Sequence, residues 1–427
     1  MIQKPRGTID ILPADSVKWR YIEETIRNIC ESYGFSEIRV PTFEATELFQ
    51  RGVGDTTDIV QKEMYTFTDR ENRSFTLRPE GTAGFMRSVI ENSLYGDALP
   101  LKLYNIMSCF RYEKPQAGRS REFYQFNIEQ MGSSSPIMDG EVISLADALF
   151  KKLGIKDIAL NINSIGCMKD DCRPNYNKIL KEYLSGRYGD LCDTCKSRFE
   201  RNPTRVLDCK SDICKSIVAD APKHKDYLCG ECKDHFDKLQ NYLNALDIKF
   251  NVNPLIVRGF DYYTKTVFEF TSKSVGSQDA LGGGGRYDGL CELIGGPKLP
   301  GIGFALGMTR IIMALENSGG YFPEQKKPLI YIAALPDGKA RETAVGLVRK
   351  LRDGDIYAET DNMERSLKSQ MKYADKIGAE FVYVIGGNEV AEKKAVLKNM
   401  RTSEQNEVGF DGLVERLKEL IKNNKKN

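Results

Sequence analysis

A cluster of polar side chains falls on one side of a short stretch of this chain. Leu101 to Glu129 has the pattern of two strands joined by a long polar loop. Side chains two apart on a strand share a face. That pairs Arg111 with Glu113 on the first strand and groups Gln125, Asn127 and Glu129 on the second, with Phe110, Tyr112, Tyr124, Phe126 and Ile128 pointing the other way. Guanidinium, carboxylate and amide groups on strands of a large protein are costly unless paired or used. The connecting loop, Lys114-Pro-Gln-Ala-Gly-Arg119-Ser-Arg121, is basic with little apolar content. A polar sheet floor under a basic flap suits a phosphorylated substrate, because guanidinium forks match phosphate oxygens. The plainer alternative is a solvated, idle hairpin face.

Other residues could join such a site. Arg258 and Asp261 stand in the aromatic-rich, strand-like run Leu255–Phe270, where they need partners, either a ligand or a structural salt bridge. In Arg78-Pro-Glu-Gly-Thr82, Glu80 and Thr82 sit at a strand-to-helix junction from which side chains reach a pocket. Thr as a helix cap, with Glu beside the positive helix end, accounts for them equally well. Arg310 falls in the first turn of a helix, where a cation is unfavourable unless an anion is near. The glycines 282–285 let backbone approach a ligand closely or form a flexible hairpin turn. They are not a dinucleotide fingerprint, since G-x-G-x-x-G does not occur in register after a βαβ-type strand.

The chain has 11 cysteines, a number that complete disulfide pairing cannot use. Three pairs gather in one region, Cys192-x2-Cys195, Cys209-x4-Cys214 and Cys229-x2-Cys232. The two CxxC pairs, Cys192 with Cys195 and Cys229 with Cys232, can supply four thiolates to a structural zinc site. The gap between them is longer than in the common zinc ribbon. Cys209 and Cys214 either replace one pair or stay free, and the alternative to metal is a small core dotted with buried thiols.

The elements that position these residues are legible from periodicity. Val17, Tyr21, Ile22, Ile26, Ile29 and Tyr33 predict a helix capped by Asp15 or Ser16 and ended by Gly34, followed by a strand from Phe35 to Val40. Met64–Asp69 and Ser74–Leu77 predict a hairpin, and a helix follows to about Glu91. Asp139 is placed to cap a helix carrying Val142, Leu145, Leu149 and Leu153, and Ile158–Ile162 is a strand. Between about 166 and 247 strand signals vanish and an inserted, mostly helical subdomain is expected. After the turn-rich linker Ser318–Pro328, strands at Leu329–Ala334, Ile356–Glu359, Phe381–Ile385 and Lys394–Met400 alternate with helices near Lys339–Leu351, Glu364–Ile377 and Gly412–Lys422. That alternation predicts a parallel or mixed sheet covered by helices.

At 427 residues two or three domains are expected, here 1–325 and 326–427. Basic and acidic residues nearly cancel, 62 against 60, so no global field draws the chain to nucleic acid. The start, MIQKPRGTIDILP, lacks a signal-type apolar core, and no run is long and apolar enough to span a bilayer. A cytoplasmic protein is the expectation.

FRYEKPQAGRSREFYQ resembles motif 2 of the class II aminoacyl-tRNA synthetases, and in detail that of the histidyl-tRNA synthetases. RGFDYYTKTVFE is similar to the RG-x-DYY-x-x-TVFE signature of that family and its close paralogues. The PRGT-x-D-x-LP start, RPEGT and GGRYD match it too, while the first helix, strand and Pro41 resemble motif 1, the dimer element. Gly301 to Arg310 resembles motif 3, whose Arg contacts ATP, and the tail resembles the family's anticodon-binding domain. The resemblance implies an α+β catalytic domain with an antiparallel six-stranded sheet, a helical insertion, a C-terminal α/β anticodon-binding domain, and a homodimer. It implies ligation of histidine to tRNA(His) through histidyl-adenylate, with ATP and Mg2+.

By position, Arg111 and Arg258 would be catalytic. Glu80, Gly81, Thr82, Arg111, Gln125, Glu129, Arg258, Tyr262, Tyr263 and Tyr287 would hold histidine, with Glu129 and Tyr263 on the imidazole nitrogens. Arg111, Glu113, Arg119, Arg121 and Arg310 would hold ATP, and Gln116 would approach the tRNA acceptor end. The general pattern of the family does not require the cysteines. Two other classes compete: a catalytically silent paralogue that binds histidine and regulates ATP phosphoribosyltransferase, and an RNA-binding module without chemistry. The intact Arg111, Arg258 and Arg310, and the C-terminal domain, separate the first reading from both.

Overall fold

Helix α1 (Pro13–Ser32) starts at a proline, whose missing N–H is no loss in a first turn. Its N-cap is Leu12, with no side-chain cap bond, so neither Asp15 nor Ser16 caps it. Trp19, Ile22, Ile26 and Ile29 form its buried stripe. The computed structural model describes all residues except Thr56, Ala117 in the basic flap, Lys210, Ser277, Gln278 and 425–427. Strand β1 is only Ser36–Glu37, shorter than expected. β2 (Phe43–Ala45), α2 (Thr46–Val53), β3 (Tyr65–Thr68) and β4 (Ser74–Leu77) follow, the strands forming a small sheet in the order β2-β4-β3. Helix α3 (Thr82–Glu91) then leads to the long hairpin of β5 (Leu101–Phe110) and β6 (Glu122–Met131). Arg111 and Glu113 lie just beyond β5 rather than on it.

Helix α4 (Pro136–Leu153) is capped by Ser135, whose side chain accepts from the Ile137 N–H. Asp139, expected as the cap, is fully buried instead. β7 (Ile158–Ser164) precedes the helical region α5 (Arg173–Ser185), α6 (Asp193–Arg201), α7 (Asp212–Ala219) and α8 (Gly230–Ala245). This region has a core of its own, including Tyr176, Leu180, Leu184, Phe199 and Val206. Helix α8 instead packs Phe236, Leu239 and Leu243 into the main core. β8 (Asn251–Val252) comes next, and β9 begins only at Thr264 (Thr264–Ser272).

Arg258, Asp261, Tyr262 and Tyr263 are therefore on an irregular segment, not on a strand. The reason is where its backbone groups go. The Asn163 amide donates to the carbonyls of Pro254 and Ile256, and Arg205 donates to that of Gly259, so side chains take the bonds a neighbouring strand would take.

β10 (Ala280–Arg286) carries the glycine run as a strand inside the sheet, not as a hairpin turn. α9 (Leu290–Ile294), β11 (Gly301–Gly307) and α10 (Met308–Asn317) complete the first unit, Met1–Pro323. Its main sheet has 8 strands in the order β1-β5-β6-β11-β10-β9-β7-β8. Every pairing from β5 to β7 is antiparallel, which gives the expected six-stranded core, and two-residue parallel strands are added at each edge. One face buries Phe126, Ile128, Phe268 and Phe304 under α1, α4, α8 and α10. The other face carries the polar residues of β6.

The second unit, Glu324–Asn427, holds β12 (Ile330–Ala334), α11 (Gly338–Asp353), β13 (Ala358–Thr360), α12 (Leu367–Lys376), β14 (Phe381–Ile385), α13 (Gly387–Glu392), β15 (Lys394–Asn399), β16 (Gln405–Gly409) and α14 (Leu413–Asn424). Its mixed sheet runs β13-β12-β14-β15-β16. α13 and β16 were not expected: β16, Gln405-Asn-Glu-Val-Gly, is a polar, exposed edge strand with no apolar alternation to reveal it.

A buried ionic network locks the first unit. Arg286 is fully buried; its Nε lies 2.7 Å from Asp139 and its Nη1 3.0 Å from Asp288, and it also donates to the carbonyls of Ser133 and Ser135. His235 Nε2, on α8, sits 2.8 Å from the other Asp139 oxygen. Removing one partner of such a pair leaves uncompensated charge in the core. Asp139→Ala is expected to lower the stability of this unit by about 3–5 kcal/mol. Trp19, the single Trp of the chain, lies in this core, so urea unfolding followed by its fluorescence reports the unit directly. A loss below about 1 kcal/mol would contradict the assigned role.

Candidate active site

On the polar face of the sheet lies a cavity of about 610 Å³, in the range of small-molecule sites. Glu80, Thr82, Arg111, Glu113, Arg119, Gln125, Arg258, Tyr262, Tyr263, Tyr287 and Arg310 all line it. Residues from the hairpin, the α3 start, the irregular segment and the α10 start are thus brought together.

One part of the wall is built around buried carboxyls. The Glu80 carboxylate accepts from the N–H groups of Thr82 (2.7 Å) and Ala83 (2.9 Å), at the start of α3. It therefore performs the helix-end role and lines the cavity at once. Glu129 lies behind the lining, 1% exposed, and accepts from Thr82 Oγ1 (2.6 Å) and the Tyr287 hydroxyl. Glu129 pairs across the sheet with Gly303, where a Cβ would fall inside the carboxylate; only glycine leaves that space. Burial raises the Glu80 carboxyl above its ordinary value, and pushes Glu129 up to about 8 despite its two donors. Tyr262 stands 4.7 Å from Tyr263 and 5.9 Å from Tyr287 between ring centres, with Phe260 stacked behind it. These groups suit a small ligand with an aromatic or cationic head and N–H donors, which would restore charge to the carboxyls.

Guanidinium groups line the same cavity, Arg258 among them 5.9 Å from the Tyr263 ring centre. Arg111 is held by the Pro79 carbonyl (2.8 Å) over the rings of Phe123 and Phe260. Arg258 Nη1 lies 3.2 Å from Glu269, while its Nε is buried without a hydrogen-bond partner among the described residues. Arg310 donates to the carbonyls of Gly118 in the flap and Ala280 on β10. Arg119 pairs with Glu113 at 3.1 Å. Convergent guanidiniums can take up the charge of a polyphosphate.

Besides Glu129, three expected residues lie outside the lining. The Arg121 guanidinium stacks on Tyr112, 3.8 Å from its ring centre, and the Arg121 backbone N–H donates to the Gly7 carbonyl. Gln116 is exposed in the flap turn, bridged to Arg119 through the backbone. Gly81 is the N-cap of α3. Glu269, the partner of Arg258, lines the cavity but was not singled out from sequence, although alternation along β9 puts it on the polar face.

The cysteines also differ from expectation. The two CxxC pairs do not share a site. Cys192 and Cys195 cluster with Cys209 and Cys214, and Cys229 and Cys232 cluster with Cys167 and Cys172. The second x4 pair, Cys167 and Cys172, was missed, although its spacing repeats that of Cys209 and Cys214.

The stretches that resemble class II motifs 2 and 3 meet on one antiparallel sheet around one cavity, and the class so defined is the class II aminoacyl-tRNA synthetases. Comparison with known proteins narrows it. A model of the family described as histidyl-tRNA synthetase matches residues 7–311, and one described as anticodon binding domain matches 328–420. A protein of Acetivibrio thermocellus named histidine–tRNA ligase is 54% identical over 418 residues, covering 98% of this chain and 100% of that one. One of the same name from Clostridioides difficile is 50% identical over 422 residues, covering 99% and 100%. The crystal structure of apo S. aureus histidyl-tRNA synthetase is similar at 39% identity and a TM-score of 0.83, over 98% of this chain and 100% of that one. The chain belongs to the histidyl-tRNA synthetase family.

Glu129 gives a pH test. In the folded, ligand-free protein it keeps its proton to about pH 8, whereas unfolded it ionises near 4.5. The folded state then binds more protons across that window, so this group's contribution is full at low pH and is lost as pH rises from 4.5 towards 8. Glu129→Gln should gain stability relative to the wild type progressively through the window, read by urea unfolding at several pH values. A difference that stays flat with pH would show that Glu129 is ionised in the pocket.

Proposed function

We propose that the chain ligates histidine to tRNA(His) in two steps within the cavity of the first unit. A carboxylate oxygen of histidine attacks the α-phosphorus of MgATP; the bond to the bridging oxygen breaks and diphosphate leaves. A hydroxyl of the 3′-terminal ribose then attacks the activated carbonyl, and AMP leaves. The observation that carries this reading is one cavity in which buried carboxyls and tyrosines meet convergent guanidiniums, with Arg258 5.9 Å from the Tyr263 ring centre.

In this reading Glu80, Thr82 and Gln125 hold the α-ammonium; Glu80 accepts two amide bonds and still has lone pairs for a third. Glu129 and Tyr263 bond the two imidazole nitrogens, Glu129 exchanging one of its present donors for the ring N–H, with Tyr262 and Tyr287 as walls. A site that bonds both ring nitrogens rejects analogues lacking one by about 10⁴-fold. Arg111 and Arg258 stand at the α-phosphate, where charge accumulates as diphosphate leaves, so their work is positioning and charge stabilisation. Glu113 faces the adenine side, and Arg119 and Arg310 the outer phosphates and adenine. Arg121, stacked outside the lining, steadies the base of the flap, and Gln116 on its exposed turn meets the acceptor end. The second unit reads the anticodon. The chain works as a cytoplasmic homodimer; among the described residues no helix is long and apolar enough to cross a membrane. A histidine-binding regulator of ATP phosphoribosyltransferase is the lesser reading, since it has no use for the convergent guanidiniums or the second unit.

ATP–diphosphate exchange tested with each of the twenty amino acids should respond to histidine alone. Binding of histidine without exchange would support the regulator instead. Arg258→Ala should lower kcat for exchange by about 10²-fold or more with histidine affinity nearly unchanged, because contacts made only in the transition state appear in kcat. The chain ending at Pro323 should keep exchange and lose most tRNA charging. Loss of exchange in that folded, dimeric protein would refute the division of labour.

A further inference from the structure

We propose that the helical region holds two separate zinc ions, each closed by four thiolates: an inner site of Cys192, Cys195, Cys209 and Cys214, and an outer site of Cys167, Cys172, Cys229 and Cys232. Within each set all four sulfurs lie within 4.8 Å of one another. The Cys192–Cys209 and Cys167–Cys229 sulfurs are 3.8 Å apart. A zinc–thiolate bond of about 2.3 Å gives a tetrahedral sulfur–sulfur edge of about 3.8 Å. A disulfide would need about 2.05 Å, and all 11 cysteines are free thiols. An iron–sulfur cubane, whose thiolates bind four different irons, needs sulfurs spread more widely than one ion does.

The two sets are built alike, which accidental thiol packing does not require. Each has one CxxC pair whose first cysteine is the N-cap of a helix, Cys192 for α6 and Cys229 for α8, in nearly the same backbone conformation (φ −65°, ψ 158° and φ −65°, ψ 164°). The second cysteine of each pair, Cys195 or Cys232, lies in the first helical turn, so both pairs present their sulfurs from a helix start in the same way. Each set is completed by a Cys-x4-Cys pair. Backbone amides point at the sulfurs: Cys172 Sγ accepts from the N–H groups of Cys167 (3.3 Å) and Cys229 (3.4 Å), and Cys214 Sγ from that of Cys192 (3.4 Å). By contrast Cys30 and Cys291 are buried singly in apolar surroundings, as packing cysteines are, and Cys109 stands apart from the other thiols, donating to the Gln125 side chain (3.3 Å).

The sites are nested along the chain. The outer one joins the segment after β7 to the start of α8, and so ties together the two ends of the helical region. The inner one closes the loop between them. Arg173, next to Cys172, donates to the carbonyls of Ile165 (3.0 Å) and Tyr263 (2.5 Å), so the outer ion also steadies the backbone that carries Tyr263. Binding four thiolates links metal free energy to folding of this region.

Elemental analysis of the untagged full-length protein, purified without chelators, should find two zinc ions per chain. The Cys192→Ser/Cys195→Ser and Cys229→Ser/Cys232→Ser variants should each keep one. Should a variant fail to fold, cobalt exchanged into the wild type should saturate at two equivalents, with the d–d and sulfur-to-cobalt charge-transfer bands of a tetrahedral tetrathiolate. Zero or one zinc in the wild type, iron with inorganic sulfide, or a cobalt spectrum without tetrathiolate character would overturn the proposal. Metal content is read independently of aminoacylation, so its failure leaves the proposed reaction untouched.

Discussion

The ion pair of Arg286 and Asp139 is the joint on which the first unit turns. It is fully buried, and its parts come from the end of β10, from α4 and, through His235, from α8. Such pairs rarely outperform a hydrophobic replacement in stability, because desolvation offsets their attraction. What this one supplies is position. Arg286 is followed directly by Tyr287, whose hydroxyl donates to Glu129. Fixing the guanidinium against α4 therefore fixes the tyrosine at the bottom of the pocket, and the helices on the apolar face are tied to the chemistry on the polar face.

The pocket itself works against its own electrostatics. Two carboxyls are buried close together, and burial raises both above their ordinary values. In the absence of ligand the protein lowers this penalty by keeping Glu129 protonated and by giving Glu80 two backbone donors at a helix start. A cationic or N–H-rich ligand offers the missing compensation. In the proposed reading phenylalanine would bring the same ring contacts and the same α-ammonium for Glu80 but no ring N–H for Glu129, so selectivity follows from unsatisfied polarity rather than from shape.

How far the sequence alone could be read depended on the range of the forces involved. The β5–β6 hairpin, α4, β7 and the alternation of the second unit declared themselves through periodicity, because each buries one regular face. The polar residues of β6 were legible for the same reason. Asp139 was misread as a cap because its partner is Arg286, far along the chain, and nothing local distinguishes a capping aspartate from a buried one. The run Leu255–Phe270 had the composition of a strand throughout, yet its first part is irregular because Asn163 and Arg205 claim its carbonyls. The cysteine grouping failed similarly: local CxxC spacing was visible, while the nesting that joins each to an x4 pair is set by the packing of helices.

Those long-range bonds give the helical region a part in the site. Arg205 donates to the Gly259 carbonyl and lies 3.1 Å from Asp261, Asn202 donates to the same carboxylate, and Arg173 holds the Tyr263 carbonyl. The segment carrying Arg258, Tyr262 and Tyr263 is thus suspended between β9 and the insertion, without a strand ladder of its own. A ladder would fix every second side chain toward the sheet. Suspension by side chains lets Arg258, Tyr262 and Tyr263 all face one cavity, an arrangement that alternation forbids to consecutive residues such as Tyr262 and Tyr263. The insertion is therefore the scaffold that permits the most distinctive segment of the family to leave strand geometry, and because its Leu207, Asp208, Cys209 and Lys215 also line the cavity, loosening it reaches the pocket both directly and through those bonds.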